Sequence, residues 1–467
     1  MSKEISHPSL FECADLLRTR RLSSVELVEA LLRRIECYDG RLNSFVALYA
    51  DQALDDARRC DKEIAGDGWR GPLHGIPYAA KDIIDVAGKQ TSCHSRILLG
   101  NIADRDALVI ERLRRAGAIL IGKTALHEFA TGGPSFDLPW PPARNPWNRA
   151  IHPGGSSSGS GSAVAAGFVP LALGTDTAGS IRHPATVCGV VGMKPTFAAI
   201  SMAGCFPLSF SLDHLGPMTR GVHDNAIVLS CLVEERAAQR MQCSRASMEP
   251  FAQLHQGLEN MRIGVIESFY RGVGADPQIE AATDAAVDAL QAQGASVRPM
   301  RLSPLSMYTE CGRTILQSEA FAVHADWLRS RPADYGTRGR RRLLAGSLIS
   351  AERYVKAQQL RTHLAREFLV AMADIDVAVC ASSLDFACEI DDPDKVDRTY
   401  DRQARTPFNL TGTPAISIPI GLSASGLPLG IQIVGKPYGE GAVYRAALAL
   451  ESALALPMHP SLDALCC

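Results

Sequence analysis

Apolar positions along this chain fall into short runs separated by glycine, proline and polar clusters, and the period of each run predicts an element. Ser24 can cap a helix over 25–37, where Leu27, Leu31, Leu32 and Ile35 form an apolar stripe at helical spacing. A second amphipathic helix is expected over 51–64, closed near Gly66 and Gly68. From Gly71 the pattern changes to strands alternating with helices: strand 76–82, helix 107–116 ended by Gly117, strand 118–122. The unit recurs as strand 261–266, helix 279–293 and strand 296–300. Strands over 377–380, 415–418 and 429–434 follow, and a helix over 442–456 closes the chain. Such alternation predicts an α/β fold: one large domain with a central mixed, largely parallel β-sheet covered by helices on both faces. Residues 1–70 read as an N-terminal helical region packed on a core that spans 71–467. Within that core, 304–372 is a helical cover, basic around Arg338–Arg342, for which a solvated charged face is the competing explanation.

Bulk properties narrow the function classes. The chain has 467 residues, 46% of them hydrophobic and 21% charged, as in an ordinary globular enzyme. A formal net charge of -2 argues against a general attraction to nucleic acid or anionic membranes. Thirteen cysteines without a Cys-x-x-Cys pair, ending in Cys466-Cys467, fit a reducing compartment. The first residues lack the apolar core of a signal peptide, and the apolar stretches 163–173 and 442–457 are too short or too charged to span a bilayer. A cytoplasmic protein is expected, with no membrane and no nucleic-acid partner. No His-Glu-x-x-His and no spaced Cys/His cluster is present, so neither metal nor cofactor is expected.

The chemistry is concentrated in two loops. His152-Pro153-Gly154-Gly155-Ser156-Ser157-Ser158-Gly159-Ser160-Gly161-Ser162 is followed by an apolar stretch and then by Gly174-Thr175-Asp176-Thr177-Ala178-Gly179-Ser180-Ile181-Arg182. Glycines allow close approach of backbone to a ligand, hydroxyls supply nucleophiles, and exposed N–H groups can hold an oxyanion. A flexible linker is the bland alternative for the first run, but apolar sequence flanks it on both sides. Gly155-Ser156-Ser157-Ser158-Gly159 also matches a nucleophile elbow, with Ser157 as nucleophile; that reading needs a preceding strand, where Pro146 and Pro153 stand instead. A phosphate loop lacks its Gly-Lys-Ser/Thr. A serine nucleophile needs a base, and Lys81, at the end of an apolar run, is a candidate because desolvation favours the neutral amine.

Lys81, the 154–162 run and the 174–182 loop together resemble the signature of the amidase signature family, whose members use a Ser–cis-Ser–Lys triad. The separations agree: 75 residues from Lys81 to Ser156 and 24 from Ser156 to Ser180. The resemblance covers about 22–220 and resumes at 413–419 and 426–432. It implies that Ser180 is the nucleophile, Ser156 the bridging serine after a cis peptide, and Lys81 the base. The N–H groups of Thr177, Ala178, Gly179 and Ser180 would form the oxyanion hole. Ser157, Asp176 and Arg182 match supporting positions, although Ser157 can equally cap the next helix and Asp176–Arg182 can be a structural pair. Thr131 and Gly132 fall where family members line the substrate pocket, and an ordinary loop threonine is the alternative. His127, His152 and His183 are not needed by the mechanism.

The chain departs from the pattern in three places. Residues 381–388 lack the family's Thr-Pro-x-x-Pro segment beside the pocket, Ser158 replaces a common glycine, and Ala178 stands where glycine is frequent, tolerable if its φ is negative. The proline- and aromatic-rich 134–142 segment is either an apolar rim or a surface loop. The resemblance implies a hydrolase of C–N bonds in a small or aryl amide or a carbamate (urethanase chemistry), with esterase side activity through acyl-Ser180. Its alternative is the glutaminase-like subunit of the tRNA-dependent glutamine amidotransferase; a non-catalytic binding protein is disfavoured by the intact triad. The expected partner is a small amide or carbamate substrate, and a homodimer is left open.

Overall fold

The computed structural model describes residues 9–233 and 249–462; the chain start and Cys466-Cys467 lie outside the described residues. Among the described residues eleven strands form one sheet: β1 Phe45–Leu48, β2 Pro77–Lys81, β3 Ile119–Thr124, β4 Leu171–Asp176, β5 Val191–Lys194, β6 His214–Thr219, β7 Arg262–Val265, β8 Ser296–Pro299, β9 Val377–Ala381, β10 Ala415–Leu422 and β11 Pro428–Gly435. Their order is β1-β3-β2-β4-β6-β5-β10-β11-β9-β7-β8. The sheet is mixed, as expected, but parallel pairing is confined to two blocks, β3-β2-β4 and β9-β7-β8. The remaining ladders are antiparallel. The expectation of a largely parallel sheet therefore holds only for these blocks. Strand–helix alternation forces parallel pairing where a helix crosses over, whereas β10 and β11 are joined by a short turn that reverses the chain.

Strands β2, β3, β4, β9 and β11 are buried along their whole length, so helices cover both faces of the sheet there. The helix after the first loop, Ser158–Ala165, is made only of serine, glycine, alanine and valine, and all eight residues are buried. Small residues let it lie against the backbone of its neighbours: a Cβ on Gly159 would stand 2.3 Å from the Ser44 carbonyl oxygen. The run is thus a packed helix start and not a linker.

At the N-terminal end, the second helix spans Ser24–Leu42 and its cap is Ser23, not Ser24. Ser23 and Glu26 form a reciprocal capping box, while Ser24 is buried beneath the turn at Gly75. The helix Ala50–Ala65 matches the expected one, and a helix Leu10–Arg18 precedes both. The 304–372 region consists of helices Leu305–Ser330, Thr337–Ala345 and Ala351–Ala371. No helix among the described residues is long and apolar enough to cross a membrane.

Candidate active site

β2 and β4 are parallel neighbours, so their C-terminal ends deliver Lys81 and the loop after Asp176 to the same edge of the sheet. Lys81 is fully buried and donates to Ser156 Oγ at 2.8 Å and to Thr175 Oγ1 at 2.7 Å. Among the described residues three lysines are wholly buried, and their partners differ. Lys123 pairs with Asp82 at 2.8 Å; Lys194 donates to the carbonyls of Pro195 and Thr413. Lys81 has only hydroxyls. Burial lowers its ammonium to about 7, against the pull of Asp213 and Asp176 in the opposite direction.

The peptide Gly155–Ser156 is cis. Gly155 is required there because a Cβ would stand 2.0 Å from the His127 ring. Ser157 occupies the N-cap position of the following helix, yet its side chain makes no capping bond. Its hydroxyl instead donates to the Thr175 carbonyl at 3.1 Å and accepts from the Thr175 N–H at 3.2 Å. The Ser157 N–H also donates to the Ser180 carbonyl at 3.2 Å, tying the two loops together. No strand precedes Ser157, which removes the geometric basis of the nucleophile-elbow reading.

The Asp176–Arg182 pair is fully buried, with contacts of 3.0 Å and 3.1 Å along two edges. Asp176 also accepts from the N–H groups of Gly179 at 2.8 Å and Ile181 at 3.1 Å, so it shapes the whole 176–182 turn. Burial pushes its carboxyl upward, but the Arg182 guanidinium outweighs this and holds it well below the usual carboxylate range. Arg182 further donates to Gln432, Asn409 and the Arg405 carbonyl. Both residues are therefore structural in the strict sense that they fix the loop bearing Ser180. Ala178 keeps a negative φ, as tolerance of alanine there requires, while Gly179 has φ +116°. Of the four N–H groups in this turn, that of Gly179 is engaged by Asp176; those of Thr177, Ala178 and Ser180 have no acceptor among the described residues.

Ser156, Thr177, Ala178, Gly179 and Ser180 line one cavity of about 260 Å³, and Thr131 and Gly132 line it too. Ser180 is half-buried, and no hydrogen bond joins its hydroxyl to that of Ser156 among the described residues. The helices of the 304–372 region line the same cavity through Thr309, Gly312, Leu316 and Arg342. In its basic run Arg338, Arg341 and Arg342 converge on Asp397, at 3.2 Å for Arg341, which is itself exposed, and 2.6 Å for Arg342.

His127 and His183 reach the cavity wall, and burial holds both imidazoles well below their usual value, hence neutral. His152 lies behind them. The 381–388 segment does not line this cavity; it borders a smaller one and holds Arg405 through Ser382 and Ser383. The 134–142 segment supports the cover instead of rimming the cavity, with Asp137 accepting from the Thr337 N–H at 2.8 Å.

Four further residues contribute to the site. Thr175 is the second partner of Lys81, and Asp213 accepts from Thr177 Oγ1 at 2.6 Å. Tyr400 and Arg405 also line the cavity. Only Thr175, inside the second loop, could have been singled out. The others arrive from distant segments.

The family model Amidase matches residues 26–444. The chain belongs to the amidase family. It is 36% identical to a glutamyl-tRNA(Gln) amidotransferase subunit from Anaeromyxobacter sp. (strain K), over 98% of this chain and 99% of that protein. The fold superposes on native peptide amidase from Stenotrophomonas maltophilia with a TM-score of 0.85 at 30% identity, covering 97% of this chain and 98% of that one. A chain from a vestigial complex bearing on the origins of an s-triazine catabolic enzyme gives a TM-score of 0.87 at 30% identity, over 95% and 98%. The family match and these full-length likenesses make this amidase an amidohydrolase.

Proposed function

We propose that this amidase hydrolyses the C–N bond of a small amide through an acyl-Ser180 intermediate, with Lys81 as the base and Ser156 as the bridge. The supporting observation is that a fully buried lysine, with hydroxyls as its only hydrogen-bond partners, donates to Ser156 Oγ at 2.8 Å. Ser180 Oγ adds to the carbonyl carbon as its proton passes to Ser156, whose own proton passes to Lys81. Thr177, Ala178 and Ser180 supply N–H donors to the oxyanion; Gly179 is withdrawn from that role by its bond to Asp176. The tetrahedral intermediate collapses, the C–N bond breaks, and the proton returns along the same path to the leaving nitrogen. Water then cleaves the acyl ester by the reverse relay. The two serine hydroxyls must come within hydrogen-bond reach in the substrate complex. Ser157, Asp176 and Arg182 hold the loops, and Thr131 and Gly132 border the bound substrate.

Aryl amides, carbamates and esters present the same electrophilic carbonyl, so urethane and ester cleavage are included as further activities. The scheme uses water and an acyl substrate alone, in a cytoplasmic setting. A second reading, glutamine hydrolysis within a tRNA-dependent amidotransferase, is favoured by the names of the relatives at 36% identity. Intact-mass measurement after a serine-directed sulfonyl fluoride, with turnover of an aryl amide, an aryl carbamate and glutamine, separates the readings. One adduct on Ser180, absent in Lys81→Ala, with the aryl amide cleaved, is the expected result. Labelling elsewhere would remove Ser180 as nucleophile, and turnover of glutamine alone would select the second reading.

A further inference from the structure

Tyr400 takes no part in the proton relay, yet it touches the flanks of both serine loops. It stands in the last turn of the helix Pro393–Asp401 and borders the cavity. On one side its hydroxyl is hydrogen-bonded to His127 Nδ1 at 3.3 Å, and the two rings meet edge to face with centroids 6.1 Å apart. His127 in turn holds the first loop. Its backbone N–H donates to the Ser156 carbonyl at 3.1 Å, and its ring covers Gly155 so closely that a Cβ there would stand 2.0 Å from Cε1. On the other side the Tyr400 ring meets that of His183 edge to face, with centroids 5.3 Å apart. The His183 N–H donates to the carbonyl of Gly179, the residue before Ser180, at 2.6 Å. Burial keeps both imidazoles neutral and the phenol protonated, so these are contacts between uncharged groups. Arg342 lies over the Tyr400 ring at 5.6 Å.

We propose that Tyr400 is a positioning residue for the relay, setting the separation of Ser156 and Ser180 through His127 on one side and His183 on the other. The inference rests on the reading of Ser156 as the bridge between Ser180 and Lys81. A relay through two hydroxyls moves a proton only across hydrogen-bond distances, so a small displacement of either loop slows it without loosening the substrate. The hydroxyl matters because it fixes the rotation of the His127 ring against Gly155; a phenylalanine would keep the edge contacts and leave that ring free to turn.

The test is saturation kinetics of Ser180 labelling by the sulfonyl fluoride, which separates the limiting rate from the affinity of the reagent, together with kcat and KM for an aryl amide. Tyr400→Phe is expected to lower the limiting rate and kcat about tenfold, the size of one hydrogen bond, with KM and reagent affinity within about twofold of wild type. His127→Phe should slow labelling by a similar factor, and adding Tyr400→Phe to it should slow it little further, because both remove the same bond. A raised KM at an unchanged limiting rate would make Tyr400 a substrate contact; a lower urea midpoint at an unchanged limiting rate would make it a structural residue. Either result overturns the proposal, as do fully additive losses in the double variant. Should Tyr400→Phe not fold, His127→Phe decides, and labelling at the wild-type rate would overturn it. Ser156→Ala keeps the two readings apart. Labelling of Ser180 undiminished in Ser156→Ala removes the bridge and sinks both readings, whereas labelling lost in Ser156→Ala but intact in Tyr400→Phe sinks the positioning role alone.

Discussion

Lowering the pH should switch off acylation of Ser180 along a limb centred on about 7. The perturbation acts on Lys81, whose amine serves as a base only when neutral. Its fall from 10.5 to about 7 on burial corresponds to roughly 5 kcal/mol in favour of the neutral form. Above the midpoint the base is present and the rate is level; below it, each pH unit removes about ninefold to tenfold, leaving roughly 1% of the plateau at pH 5. The assay is the rate of sulfonyl fluoride labelling of Ser180 between pH 5 and 9, read by intact mass, which isolates the first chemical step. Asp213 titrates close by, lifted by burial to about 6, so it must be separated from Lys81. Asp213→Asn removes a charge that stabilises the Lys81 ammonium, and the limb should move to lower pH without disappearing. A labelling rate flat from pH 5 to 9, a limb that survives Lys81→Met, or a limb lost in Asp213→Asn would refute Lys81 as the base.

Other consequences can be read from the same contacts. Asp176→Asn leaves Arg182 buried without its carboxylate and should destabilise the fold by about 3–5 kcal/mol, measured as a lower urea midpoint. Gly179→Ala combines φ +116° with a Cβ 2.5 Å from Arg405 Nε; a loss of about 1–3 kcal/mol in thermal unfolding, with slower Ser180 labelling, is expected, and wild-type labelling would contradict it. Asp397→Asn weakens the anchor of Arg338, Arg341 and Arg342 at the cavity mouth and should raise KM more than it lowers the melting temperature. Glu128, lifted to about 7 by burial, is held by Ser95 and the Gly336 N–H. Because its folded value lies above the unfolded one, its contribution to stability is complete below about 4.5 and lost as pH rises through about 7; Glu128→Gln should flatten that decline in chemical denaturation.

The parts of this site that were legible in the sequence are those in which chemistry and chain order coincide. Ser156, Ser157, Thr177 and Ser180 sit in two glycine-rich loops joined by one helix and one strand, and the cavity gathers the same loops. Ser23 is the cap that the sequence itself favours over Ser24, since Ser23 and Glu26 have the three-residue spacing of a capping box. Strands β1 and β5 have four residues each, and β6 carries Pro217 inside it, so neither length nor alternation marks them. Asp213, Tyr400 and Arg405 could not be found at all. Each is an ordinary residue in its own segment and joins the site only when the chain before β6 and the 399–406 stretch are brought against the 174–182 loop.

Burial alone does not distinguish function among these charged groups; the degree to which each is satisfied does. Arg182 and Asp176 are as buried as any residues in the fold, and almost every donor and acceptor they carry is engaged within the protein, so they have nothing left to offer a ligand. Lys123 is likewise completed by Asp82. Lys81 lacks a carboxylate and is driven towards the neutral amine that a proton relay needs. Arg405 also lacks one, but a guanidinium with a value of about 9 stays charged at neutral pH and so cannot serve as a base there. This is why an arginine at position 81 would fail in the lysine's place: its guanidinium could not give up its proton.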